Sequence, residues 1–520
     1  MVIRTLENVV GGRHKARRCV AGAFLLAAVI GLLAPIGIGQ QAGAQTAGVW
    51  GPPVNLSMSD TASLFPDIAV DSAGHIYVVW GEHSSDDVLR SDMLLFRMWD
   101  GQTWSPPNDI AVGGHLPQIA VDSQGRLHVI RIANGLEYKR AWAQGDPSNA
   151  QAWTPGQDLR ISNPYWPDLV IDSQDRIHVV FTDEGGIHYR RSIDGGDSWS
   201  DPIRLDIPRI GGAETPRLAV DRLDNVYAVW PDLEVSVGGK DPMGIGVSFS
   251  YSTDGGETWS LSKQVVTGDE GYEWPQVAVD SAGTIHIVWR YRDLNIGTIG
   301  YVRSSDRGES WSKVENLRLG STGAYAHGLA VDSADNLHLV IPLLQGDLPP
   351  MGVSYLVRPS GGQWSPPTRV SQNPCNAGSA DAELVISQGN HLHVVWYDRL
   401  ECELGFAQPS GRGEVFYSTL TVDAPAKAPE PLPPMPTPTA IVPIAQSIPT
   451  PAPASVETSF TPKPTTTNTP TATRWSSGPA SAEDARTGRW VPNPLLVGPA
   501  LAGALVGVVV ILKSAMTGRR

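Results

Sequence analysis

Cysteine is nearly absent from this sequence, with three residues in 520. Cys19 lies in a leading segment expected to be removed, so Cys375 and Cys402 offer one disulfide at most, with two free thiols as the alternative. Phenylalanine is scarce at 8, against 54 glycines, 43 prolines and 17 tryptophans, a mix that speaks against helical bundles and for short strands joined by tight turns. Basic residues are outnumbered, and the net charge of -14 excludes a nucleic-acid partner and disfavours adhesion to anionic lipid. No phosphate-binding loop, zinc-ligand spacing or Ser-His-Asp set stands out, so no cofactor and no metal are expected.

Long apolar runs are confined to the two ends. Arg4, Arg13, Lys15, Arg17 and Arg18 precede an apolar stretch from Val20 to about Ile38 and the small-residue site Ala42-Gly43-Ala44, which predicts a signal peptide over 1–44. Residues 494–512 carry no charge and reach roughly 28 Å as a helix, about one hydrocarbon core. Lys513, Arg519 and Arg520 follow, placing the tail 513–520 in the cytoplasm and the bulk of the chain outside. Residues 422–490 are rich in proline and threonine and predict a disordered stalk, on the order of 200 Å if fully extended at about 3.1 Å per residue. The expectation is a single-pass cell-surface protein anchored through its C-terminal helix.

Between these ends, in 45–421, one phrase recurs seven times: an apolar triplet, an aspartate, a turn and an alternating apolar strand, as in PDIAVDSAGHIYVVW and PDLVIDSQDRIHVVF. A unit of short strands cannot bury its apolar face alone and must stack. In the third unit, Asp168–Ile171, Arg176–Phe181, Ile187–Arg191 and the stretch from Trp199 predict four antiparallel strands, the pattern of a propeller blade. Trp104, Trp153, Trp199, Trp259, Trp311 and Trp364 mark fourth strands, and the seventh unit lacks one. Trp50, ahead of the first unit, supplies it, which predicts an all-β, seven-bladed propeller closed by an N-terminal strand; a linear solenoid is the alternative.

Three units carry Ser-x-Asp-x-Gly-x-x-Trp: Ser192, Asp194, Gly196 and Trp199; Ser252, Asp254, Gly256 and Trp259; Ser304, Asp306, Gly308 and Trp311. Asp100–Trp104 and Ser360–Trp364 are shortened relatives. This is the Asp-box, or bacterial neuraminidase repeat, and over residues 50–420 the chain resembles the sialidase superfamily of Asp-box propellers. The resemblance implies that the boxes are structural turns, remote from the ligand face, in which aspartate and serine bond turn amides and tryptophan packs between sheets. For activity it implies a Phe/Tyr-Arg-Ile-Pro segment, three arginines for the substrate carboxylate, a Tyr/Glu nucleophile pair and an aspartate. This chain has no such segment and counts seven blades where family sialidases have six, so no catalytic residue is assigned.

Ends of second strands bring Arg131, Arg290, Arg292 and Arg399 to one face, beside Tyr291, Tyr397 and the acids Glu82, Asp183, Asp232, Asp293 and Asp398. Aromatics preceding first strands rim the same face: Phe65, Tyr165, Trp166, Tyr272, Trp274 and Tyr325. Trp166, Trp274, Arg290, Arg292, Tyr397 and Arg399 are therefore the candidate ligand-face residues. His128, His178, His286, His338 and His393, with Tyr77 and Tyr227, repeat at one strand position and diverge around a ring, which makes them packing residues rather than metal ligands. The sequence points first to a surface-displayed module that binds an extracellular glycan or protein. An exo-acting glycoside hydrolase of sialidase type is the alternative, and a scaffold in an envelope complex a third.

Overall fold

The computed structural model describes residues 48–435 except 84–90, 162, 209–210, 235–242, 293–296, 320–321, 325–326, 346–351, 373–378 and 400–412. The expected signal peptide, the stalk beyond 435, the span 494–512, the tail, Cys375 and Cys402 all lie outside the described residues. Among the described residues no helix is long and apolar enough to cross a membrane.

Among the described residues, regular structure is strand throughout apart from a 3-10 turn at Ala150–Ala152. Alternating apolar residues flanked by Asp-Ser-x-Gly/Asp turns form hairpins, and these assemble into seven antiparallel sheets. Blade 3 is typical: Pro164–Ile171, Ile177–Asp183, Gly186–Ser192 and Ile203–Arg204 run from the inside of the ring outward. In blade 7, Ser379–Ser387, His391–Arg399 and Gly413–Thr421 are completed by Val54–Asn55 from the N-terminal end, with Val54 opposite Tyr417. The seventh fourth strand is thus the orphan marked by Trp50.

A ring with no gap follows from the packing. Each interface between neighbouring blades holds its own apolar cluster, including one in which Ile68, Val78 and Trp80 of blade 1 meet Val395, Val415 and Tyr417 of blade 7. Every marker tryptophan stands edge-on against the third-strand aromatic of the preceding blade, at 4.8 to 5.6 Å between centroids: Trp104 on Tyr417, Trp153 on Phe96, Trp199 on Tyr138, Trp259 on Tyr189, Trp311 on Phe249, Trp364 on Tyr301 and Trp50 on Tyr355. Such edge-to-face pairs add about 0.5–1.5 kcal/mol beyond area burial, and seven of them encircle the ring.

The Asp-box turns hold these tryptophans in place. In blade 3, Ser192 Oγ donates to Asp194 Oδ1 at 2.8 Å, and the amides of Gly196 and Ser198 donate to Ser192 Oγ at 2.8 Å and Asp194 Oδ1 at 2.9 Å. The boxes at Ser252 and Ser304 repeat the pattern. Every carboxylate lone pair so used is satisfied by the protein itself, which leaves the box a fold element.

Composition assigned residues 422–435 to the stalk, but this stretch is laid along the turns between first and second strands. Asn390 Nδ2 donates to Ala424 O at 3.3 Å, Ser333 Oγ to Pro425 O, Lys427 N to Gln388 O at 2.7 Å, Glu430 N to Ser72 O at 2.8 Å and Gln144 Nε2 to Pro433 O at 2.8 Å. Leu432 packs against the cluster between blades 1 and 2. The strap therefore touches blades 6 and 7 and then blades 1 and 2, across the seam where the closing strand joins blade 7.

Candidate ligand site at the channel mouth

The site begins with a backbone irregularity. First strands shift register between Leu64 and Asp67, His115 and Gln118, Tyr165 and Asp168, Glu273 and Gln276, and Ala380 and Glu383. Within each shift sits a residue in the left-handed region: Phe65 (φ 55), Leu116 (48), Trp166 (47), Trp274 (52) and Asp381 (44). Thr215 (φ 44), just ahead of the first strand of blade 4, joins them. Most of these precede proline, a combination that costs of order 1–3 kcal/mol per residue and is held only by surrounding structure. The bulge brings two positions per blade to the ring axis, and proline is tolerated there because the ladder is already interrupted.

Together these positions form a pocket lined by Phe65, Leu116, Gln118, Trp166, Arg217, Trp274, Asp381 and Glu383, with the bulge prolines between them. Its unfilled space is about 370 Å³ including the open mouth, and its lining comes from blades 1, 2, 3, 4, 5 and 7, which places it on the axis. Trp166 and Trp274 meet edge-on at 4.6 Å, and Leu116 and Ile132 back them.

Behind the aromatic rim lies a charged layer. Asp67 Oδ2 accepts from the amide of Ile119 at 2.6 Å and Asp168 Oδ2 from that of Leu218 at 2.7 Å, each reaching into the next blade. Arg217 stands 3.5 Å from Glu383 Oε1. Burial drives the Asp67 carboxyl up to about 7 against the pull of the Ile119 amide. Glu383 is pushed up to about 8, first by burial and then by Asp67, Asp168 and Asp381, with Arg217 opposing. Burial alone would lower Arg217, but Glu383, Asp168, Asp67 and Asp381 outweigh it and hold the guanidinium charged.

Of the candidate ligand-face residues, the structure brings Trp166 and Trp274 into the pocket. Tyr397 is buried and meets Phe65 edge-on at 6.2 Å, so it supports the rim from behind. Arg290 and Arg292 are tied to Glu273 at 3.5 and 3.3 Å. Arg399 ends its strand, and its side chain lies outside the described residues, as do Tyr325 and Asp293. Tyr272 is buried against Trp289 and Tyr291 and donates to Glu270 at 2.9 Å. Arg131 bonds Glu137 at 2.8 Å, while Glu82, Asp232 and Asp398 accept from Ser63, Ser248 and Ser379. Among the described side chains, Arg131 therefore pairs apart from Arg290 and Arg292, which share Glu273.

Sequence reasoning missed Asp67, Asp168, Arg217, Asp381 and Glu383. The available signal was the letter that varies between the bulge and the apolar triplet, D, Q, D, R, Q, G, E around the ring, in a phrase otherwise repeated. The repeated histidines are packing residues: His128, His178, His286 and His338 bond an aspartate of their own turn and a third-strand tyrosine. Among the described residues no three His, Cys, Asp or Glu side chains are grouped to hold a metal ion.

No family model matches this chain, and no curated protein does either. Solved structures similar to it include a protein of unknown function from Dyadobacter fermentans, at 15% identity over 73% of this chain and 98% of that one, TM-score 0.47. An ulvan lyase, a polysaccharide lyase, is similar at 12% identity over 73% and 95%, TM-score 0.49. The NanB sialidase of Streptococcus pneumoniae is similar at 14% identity over 71% of each chain, TM-score 0.41. At such identities the chemistry of the present site rests on its own residues.

Proposed function

We propose that this chain is a surface-displayed, non-catalytic binding module whose channel mouth takes a carbohydrate ring. One observation carries the reading: six blades converge on a pocket that joins aromatic faces to carboxyl and guanidinium groups. Sugar rings stack their C–H faces on indoles and offer hydroxyls that both donate and accept, matching such a wall. Display outside the cell, on a stalk and a C-terminal anchor, is supported by the targeting pattern of the two ends. The test is an array of extracellular glycans probed with the full-length protein in detergent. Binding is expected, and Trp274→Ala is expected to weaken it about tenfold, or ~1.4 kcal/mol. Silence on the array would overturn the carbohydrate reading in favour of a protein ligand.

A second reading, exo-acting glycoside hydrolysis, draws on Glu214. Burial and the neighbouring Glu273 push this half-buried carboxyl up to about 7, against Arg292, while Glu273 is ion-paired to two arginines. Two carboxyls in unlike settings are what acid/base cleavage requires. Turnover of fluorogenic glycosides, sialosides included, that disappears in Glu214→Gln would replace the binding reading with this one.

A further inference from the structure

We propose that the channel mouth selects a sugar bearing a free ammonium group, a de-N-acetylated hexosamine, over its N-acetylated and anionic counterparts. The inference rests on the carbohydrate reading of the same pocket. Its ground is the charge count at the axis. Asp381 and Glu383 line the pocket with Arg217, which stands 3.5 Å from Glu383, and Asp67 and Asp168, bonded to the amides of Ile119 and Leu218, lie behind them, so four carboxyl groups share one guanidinium. Ionised together they leave a net charge of 1 - 4 = -3 in a buried layer. Such an excess is relieved in one of two ways, by bound protons or by a cation arriving from outside. Arg290 and Arg292 pair with Glu273.

The walls decide which cation fits. Phe65, Trp166 and Trp274 line the mouth, and aromatic faces attract ammonium groups by about 0.5–2 kcal/mol each, while among the described residues no three His, Cys, Asp or Glu side chains are grouped to hold a metal ion. Gln118, Asp381 and Glu383 also line the pocket and accept hydrogens from sugar hydroxyls, which a simple amine lacks. A sialic or uronic acid would bring its carboxylate against the acidic layer.

Isothermal titration of the full-length protein at neutral pH tests this with three probes: fully de-N-acetylated chitotetraose, its N-acetylated form, and sialyllactose. The de-N-acetylated tetramer is expected to bind at least about tenfold tighter than the N-acetylated one, with sialyllactose weakest. Glu383→Gln, with an unchanged melting temperature as the check on folding, is expected to cut that preference to about threefold or less. Tetramethylammonium is expected to displace the tetramer from the unaltered protein where sodium at equal ionic strength does not, a readout independent of any variant. Equal or reversed preference between the two tetramers, tighter binding of sialyllactose, or no competition by tetramethylammonium overturns the ammonium inference and leaves the carbohydrate reading standing. No binding of any probe overturns it as well; the glycan array, with its wider set of sugars, then decides the carbohydrate reading separately.

Discussion

Five blades hold a second-strand histidine between two partners, and two blades do without it in a way that shows why. The Nδ1 of His128, His178, His286, His338 and His393 lies 2.6 to 2.9 Å from the hydroxyl of Tyr138, Tyr189, Tyr301, Tyr355 and Tyr417. In blades 1 and 4 the histidine is replaced by Tyr77 and Tyr227, whose hydroxyls donate directly to Asp71 at 2.7 Å and Asp221 at 2.8 Å. No second ring nitrogen then needs a partner, and the third strand carries Phe96 and Phe249 in place of tyrosine. The pair changes together because a buried polar atom without a partner costs about 1–3 kcal/mol. Tyr189→Phe alone is therefore expected to destabilise the fold by about 1–3 kcal/mol, since it strips the buried His178 Nδ1. Adding His178→Tyr is expected to recover most of that loss, because the new phenol reaches Asp172 as Tyr77 reaches Asp71. A double-mutant cycle by chemical denaturation reads the coupling, and additive losses would show that the hydrogen-bond account is wrong.

At the scale of elements, the turns between first and second strands are chained to one another around the ring. Ser123, Ser173 and Ser281 donate backbone and hydroxyl hydrogens, at 2.6 to 3.0 Å, to Asp175, Asp224 and Asp335 of the next blade. Ser72 and Ser333 have no such aspartate ahead of them, since Gly125 and Asn390 hold its place. There the strap supplies the acceptors, Glu430 O at 3.0 Å from Ser72 Oγ and Pro425 O for Ser333. Replacing 424–435 by a Gly-Ser linker of equal length is expected to cost ~2–4 kcal/mol, the sum of several hydrogen bonds at about 0.5–1.5 kcal/mol each. A lowered midpoint in thermal or denaturant unfolding would register it, and an unchanged midpoint would reduce the strap to passive cover. The strap also marks where sequence reading stops. Strand positions, the blade count and the closing role of Trp50 were legible because periodicity and tryptophan spacing are local signals. Docking of Pro425, Glu430 and Leu432 was not, because their low-complexity composition is that of a free linker and their partners lie far away in sequence, 92 residues for Ser333–Pro425 and 358 for Ser72–Glu430. The pocket was half legible for the same reason. Trp166 and Trp274 announce a face, whereas Asp67, Arg217 and Glu383 meet only once the ring has closed.

At the scale of the whole molecule, closure gathers those charges onto one axis and gives the ring a pH dependence with two sides. Glu383 and Asp67 are raised to about 8 and about 7 from ordinary values of 4.5 and 3.8, so the folded chain holds protons that the unfolded chain has released. Their contribution is fully present below about pH 4 and falls away as pH rises through 7 and 8. On the acid side His393, buried with Ser387 where other blades place aspartate, is pushed down to about 4 by burial and then by His391. Its neutral form favours the fold above about pH 6.5, and this is lost as pH falls toward 4. Between about pH 4.5 and 6.5 the two carboxyls outweigh the one histidine, so the melting temperature is expected to peak near pH 4 and to fall toward pH 9. Glu383→Gln and Asp67→Asn are each expected to make the alkaline limb shallower, since neither amide can ionise, while leaving in place the acid limb and the part of the alkaline limb that Glu214 and Asp398, raised to about 7 and about 6 by burial, contribute. A profile whose alkaline limb is as steep in both variants as in the unaltered protein would show that the axial carboxyls are already compensated without protons, and would remove the charge imbalance on which a cationic ligand depends.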